Sequence, residues 1–174
     1  MKYNFWDVSR DRKKKPITSS DRFLELVAAI MAVGLLAFTG ILYSKAPDVI
    51  PSHFNLSMEP DGWSGKGVYW VLAVVMVIGM AICASAAYNR KLVNLPIRLK
   101  QAVFYRQIGL IGRMCRVMTL AFGLIWLSIL LAMSADLVGM PDDVAVVLVP
   151  FSVGLMLGVV VFYTLKIWWI GRKA

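Results

Sequence analysis

One histidine, two cysteines and ten acidic residues are all that this chain of 174 offers to metal, redox or acid–base chemistry. A zinc site takes about four ligands at close spacing, and His53, Cys83 and Cys115 stand too far apart to supply them. There is no CxxC pair and no secreted disulfide framework, so both thiols are expected to be inert and reduced, near the cytoplasmic half of a membrane. Neither an HExxH nor a nucleophile–base pair is present, and the chain reads as non-enzymatic, with no cofactor and no metal. The shortage of acid leaves a net charge of +9. Excess base often marks a nucleic-acid partner. Here the cations sit between long apolar runs and no base-reading motif accompanies them, which argues against nucleic acid. Lipid headgroups and membrane orientation account for them better.

What the chain has in quantity is hydrocarbon. Hydrophobic residues make up 59% of it and the mean hydropathy is +0.70, against roughly 45–50% apolar residues in a soluble domain. Four runs reach the roughly 20 residues that a hydrocarbon core requires: Phe23–Tyr43, Val68–Tyr88, Val117–Leu137 and Val144–Trp169. The first is too long for the apolar region of about 7–15 residues in a cleaved signal peptide, and reads as a retained anchor. Of the 19 basic residues, all but Lys45 and Lys66 lie in the tail, in the second connection or at the C-terminal end. The positive-inside rule then places both termini in the cytoplasm. Interfacial aromatics agree, with Tyr43, Trp63, Tyr69 and Trp70 on the outer side and Tyr88, Trp168 and Trp169 on the inner. Trp126 falls in mid-span, as a packing or lipid-facing residue.

The predicted fold is an all-α membrane protein, a bundle of four transmembrane helices. Residues 1–22 form a basic cytoplasmic tail and 23–88 a helix–loop–helix unit with its outer loop at 44–67. A basic cytoplasmic connection at 89–116 leads to the third and fourth helices in 117–171. From an N-cap at Asn94, with Pro96 at a tolerated early position, the connection reads as an amphipathic helix. At 100° per residue, Arg98, Arg106, Arg113 and Arg116 share one sector, opposite Val103, Phe104, Ile108, Leu110, Ile111 and Met114. Such a helix would lie on the inner leaflet or offer a surface to a cytoplasmic protein.

Small residues four apart, at Gly154 and Gly158, Gly79 and Cys83, and Ala81 and Ser85, predict close packing within the bundle or a homodimer face. Pro150 is expected to kink the fourth span. Glu25, one turn from Arg22, and Asp136 stand at span margins, where anchoring or a salt bridge is expected of them. A proton-coupled transporter needs an ionisable group deep in the membrane. A small transporter, or an accessory subunit of a membrane complex, is therefore the alternative reading rather than the first.

The outer loop is longer than the connection requires, and loops beyond about 12–15 residues are usually functional or disordered. Ile50, Phe54, Leu56, Met58 and Trp63 are too apolar for a solvated linker, while Pro47, Pro51 and Pro60 favour extended chain. An ordered cap on the helix ends is the expectation. His53 and Asn55 would face one way and Phe54 the other, towards the bundle, with a turn at Asp61-Gly62. His53 reads as a hydrogen-bonding hub, a pH-sensitive group or a ligand contact.

The segment from Ala46 to Lys66, APDVIPSHFNLSMEPDGWSGK, resembles the signature of a bacterial family of membrane domains of unknown function, LPDxIPxH(F/W)NxxGxxDx(W/Y)xxK between two transmembrane helices. The likeness extends over roughly Ile41 to Asn89. Relatives in that family include the immunity proteins against the sporulation-delaying-protein toxin, which protect the producing cell and signal across the membrane. The resemblance implies a multi-pass protein of the bacterial cytoplasmic membrane that recognises a ligand or a peptide toxin at its outer loop. It singles out Pro47, Asp48, Pro51, His53, Asn55, Asp61, Trp63 and Lys66. Met58 stands where the family usually has glycine, and the immunity proteins have a longer membrane portion.

Overall fold

A computed structural model describes residues 17–55, 59–89, 92–94 and 99–173. The first helix, α1, spans Ser19–Lys45. Its start is a reciprocal capping box: Thr18 Oγ1 accepts from the Asp21 amide at 3.2 Å, and the Asp21 carboxylate accepts from the Thr18 amide at 3.0 Å. It stops at Ala46, whose extended backbone (ψ 146°) is what the following Pro47 imposes. A β-hairpin follows, with β1 at Val49–Phe54 and β2 at Pro60–Gly65. Next come α2 at Val68–Ala86, a short 3-10 turn at Gln101–Val103 and α3 at Phe104–Met133. A single turn, α4, at Ala135–Val138 ends on Gly139 at φ 65°, and α5 covers Asp142–Arg172, running through Pro150.

Among the described residues four helices are long and apolar enough to cross a membrane: Ser19–Lys45, Val68–Ala86, Gln101–Met133 and Val147–Arg172. Their outward faces are hydrocarbon. Phe23, Val33, Val71, Phe151 and Val161 are all exposed, a surface that water would penalise and lipid would not. The chain has the build of a multi-pass membrane protein. Its centre is α3, which packs against α1, α2 and α5. One apolar core joins Leu35, Leu42, Tyr69, Ala73, Trp126 and Leu130 towards the hairpin end, and a smaller one joins Ile111, Cys115 and Ile167 towards the end where α1 starts and α5 stops.

Polar ties fix the central helix. Tyr69 Oη and Ser134 Oγ share a hydrogen at 2.6 Å, pinning the start of α2 to the end of α3. Gln107, fully buried, accepts from the Lys100 amide and donates to the Ile167 carbonyl, each at 3.0 Å. That bond holds α5 to the start of α3.

Several expectations need correction. The protein is not all-α, because the outer loop forms a two-stranded antiparallel sheet. Asp61-Gly62 is not a turn but part of β2. Among the described residues the expected amphipathic stretch is not a helix of its own: from Phe104 onward it is the first part of α3. The capping role expected of Asn94 rests on residues 95–98, which lie outside the described residues; Leu99 and Lys100 are not helical, and α3 begins at Phe104 and runs unbroken into its apolar length. Pro96 and Arg98 lie outside the described residues, as do the basic tail up to Pro16, Leu56, Met58, Arg90 and Lys91. Arg113 and Arg116 do not form a solvated or lipid-facing stripe. They turn into the bundle, Arg113 towards Asp21 at 3.1 Å and Arg116 towards Glu25 at 2.7 Å. Glu25 thus pairs with a residue of α3 rather than with Arg22.

The small-residue patterns divide. Gly79 is needed where α2 meets α3, since a Cβ there would lie 2.8 Å from Cε1 of Phe122. Gly154 and Gly158 meet nothing within 4 Å, so they do not pack within the bundle. Gly79→Leu is therefore expected to cost about 1–3 kcal/mol by overpacking, seen as a lower melting temperature in detergent. Gly154→Leu in the same assay leaves it unchanged or slightly raised, because leucine is the better helix former.

Candidate functional site

The eight residues of the outer motif all fall on the hairpin or on its two junctions with α1 and α2. Pro47 ends α1, and Asp48 and Lys66 close the base of the hairpin. The Lys66 ammonium lies 3.0 Å from Asp48 Oδ1, and the Lys66 amide donates to the Asp48 carbonyl at 3.0 Å. The same ammonium stands 5.5 Å above the Tyr43 ring of α1. The base of the hairpin is thereby tied to the top of the helix.

The strands pair Val49 with Gly65, Pro51 with Trp63 and His53 with Gly62. The register shifts on both sides of His53, as in a bulge. Gly62 explains how the two backbones come so close: a Cβ at 62 would sit 2.8 Å from the Cβ of His53. Ser52 and Ser64 hydroxyls share a hydrogen across the strands at 2.7 Å. At the far end Asn55 is joined to Glu59, its backbone amide donating to the Glu59 carbonyl and its Oδ1 accepting from the Glu59 amide, both at 3.0 Å.

One face of the hairpin is buried. Ile50 is 2% exposed within the main core, and Phe54 packs over Ala132 and Ala135. The opposite face is open, and it carries the chemistry. His53 Nδ1 meets Asp61 Oδ1 at 2.5 Å across the strands, with the imidazole 73% exposed and the carboxylate 44%. Trp63 is 62% exposed on the same hairpin. A charge-assisted pair beside an uncovered indole offers hydrogen bonds, a polarised ring nitrogen and a large apolar contact area, the mixture that dominates recognition surfaces.

Among the described residues no group of three or more histidine, cysteine or acidic side chains could hold a metal ion. Cys83 and Cys115 are free thiols within α2 and α3. Asp136 is exposed on α4.

At the opposite end of the bundle Glu25 makes a salt bridge, as sequence reasoning expected, but with a partner that it missed. Glu25 of α1 accepts from Nε of Arg116 of α3 and from the hydroxyl of Tyr88, just past α2. Arg116 is 7% exposed and its guanidinium lies 5.1 Å from the centre of the Tyr88 ring. One turn towards the terminus, Asp21 and Thr18 bond Arg113. Excess base on α3 was visible in the sequence, but its acidic partners lie some 90 residues earlier in the chain.

No curated protein and no solved structure matches this chain. Residues 30–77, from within α1 through the whole hairpin to the middle of α2, are similar to a protein family described as a domain of unknown function (DUF1648).

Proposed function

We propose that this chain is a non-enzymatic, multi-pass protein of a bacterial cytoplasmic membrane that recognises a ligand through the open face of its hairpin. The resemblance of the motif points to a peptide of the toxin class, with another extracellular ligand as the alternative. Both termini lie in the cytoplasm and the hairpin lies outside, because the cations cluster at the end of the bundle opposite to it. The observation that carries the reading is the exposure of the His53–Asp61 pair beside Trp63. Open to solvent, the pair adds at most about 1 kcal/mol to the fold, and its polar atoms remain accessible to a ligand. An extended peptide crossing the strands could take hydrogen bonds from this pair and cover the indole. A role like that of the toxin immunity proteins follows from the resemblance of the motif, and transmission to a cytoplasmic partner would pass through the basic end.

His53→Ala and Asp61→Ala are expected to accumulate in membranes as the parent does and to melt within about 1 kcal/mol of it. Binding of a peptide toxin in detergent, or protection of cells that express the protein, should fall at least tenfold, equivalent to about 1.4 kcal/mol. Variants that fail to accumulate would make the pair structural and remove the basis of the proposal. So would variants that bind and protect like the parent.

A further inference from the structure

Between α1 and α2, towards the end where α1 starts, lies a cavity of about 280 Å³. Five alanines leave the space: Ala28, Ala29 and Ala32 on α1, Ala81 and Ala84 on α2. The floor is buried at Ala28, Met80 and Thr119, whereas Ala29, Ala81 and Ala84 are exposed at the rim, so the cavity opens sideways where lipid lies. Its one polar end is the Glu25–Arg116 pair with Tyr88.

We infer that this cavity is a binding site for a single-chain amphiphile with an uncharged hydroxyl head, its chain between the alanines and its hydroxyl on the Glu25–Arg116 pair. The apolar walls specify the chain. The volume lies near the lower limit of the roughly 300–1,000 Å³ typical of ligand pockets and suits one chain rather than two. The polar end specifies the head. Glu25 already neutralises Arg116, so an anionic head would meet the carboxylate and a cationic head the guanidinium. A hydroxyl satisfies both, donating to Glu25 while accepting from one of the guanidinium's other N–H groups. Tyr88 shows the same chemistry within the protein, since its hydroxyl donates to this carboxylate from the rim. The site is separate from the hairpin and does not depend on what the hairpin recognises.

The test is photolabelling of the full chain in phospholipid nanodiscs with a diazirine-bearing hexadecanol, read by mass spectrometry of the labelled peptides. Label should concentrate on the α1 and α2 stretches that line the cavity. It should fall at least fivefold in Ala81→Phe, which fills the rim, and stay unchanged in Val161→Phe, on the exposed face of α5. Unlabelled hexadecanol should compete at least tenfold better than hexadecane or palmitate. Label spread evenly over α5 and the cavity helices would overturn the site, as would label that survives Ala81→Phe in a variant that melts like the parent. Equal competition by hexadecane would overturn the polar recognition, and stronger competition by palmitate would overturn the uncharged head.

Discussion

Arg116→Leu is expected to lower the stability of the solubilised protein by about 3 kcal/mol, the low end of the roughly 3–5 kcal/mol for breaking a buried ion pair. The low end applies because the Glu25 side chain is about a third exposed and regains some hydration when its partner is lost. With about 2–4 °C of melting temperature per kcal/mol at this size, the shift is of order 6–12 °C. The cost arises from Glu25, left with only the Tyr88 hydroxyl as partner at the edge of an apolar cavity. Glu25→Leu combined with Arg116→Leu should recover most of the loss, since two apolar side chains of similar bulk replace a desolvated pair at little net cost. A double variant as unstable as the single one would show that Arg116 acts through the packing of its stem and not through its charge. Thermal unfolding of the four proteins of this cycle decides between the two.

That pair also marks where sequence reasoning stops. Hydropathy alone located all four spans, because length and apolarity are local properties. The angular placement of Arg113 and Arg116 on one sector of α3 was legible too, since helical periodicity states which residues share a face. It cannot state what the face looks at. Here it looks at Asp21 and Glu25 of α1 rather than at headgroups, and those partners are 92 and 91 residues away. Gln107 was invisible for a related reason: one of its partners is the main-chain carbonyl of Ile167, 60 residues on, which no side-chain pattern advertises.

The hairpin divides in the same way. Its extended character, and the opposition of Phe54 to His53, followed from three prolines and a period of two. The turn was misplaced because Asp-Gly usually signals one. Gly62 serves a different need, the close approach of two strands at His53. That pairing is a property of the folded register.

Ile50→Asp is expected to release the hairpin from the helix ends while the four spans stay in the membrane. A lone two-stranded hairpin is at best marginally stable in water, so this one depends on its docked face. Ile50 is 2% exposed in contact with the core of Leu42, Tyr69, Trp126 and Leu130, a burial of about 1.5–3 kcal/mol. An unpaired carboxylate in that place costs more than the isoleucine contributed, and undocking is the cheaper outcome. Trypsin should then cut after Lys45 and Lys66, the two basic residues at the junctions, at least tenfold faster in detergent than in the parent. Val49→Asp is the control: it changes the neighbouring residue on the open face, 58% exposed, and should leave the cleavage rate unchanged. Equal protection in both variants would mean that the Asp48–Lys66 and Ser52–Ser64 bonds hold the hairpin without its apolar side. Selective loss in Ile50→Asp would mean that the hairpin is seated in the same core as α1, α2 and α3.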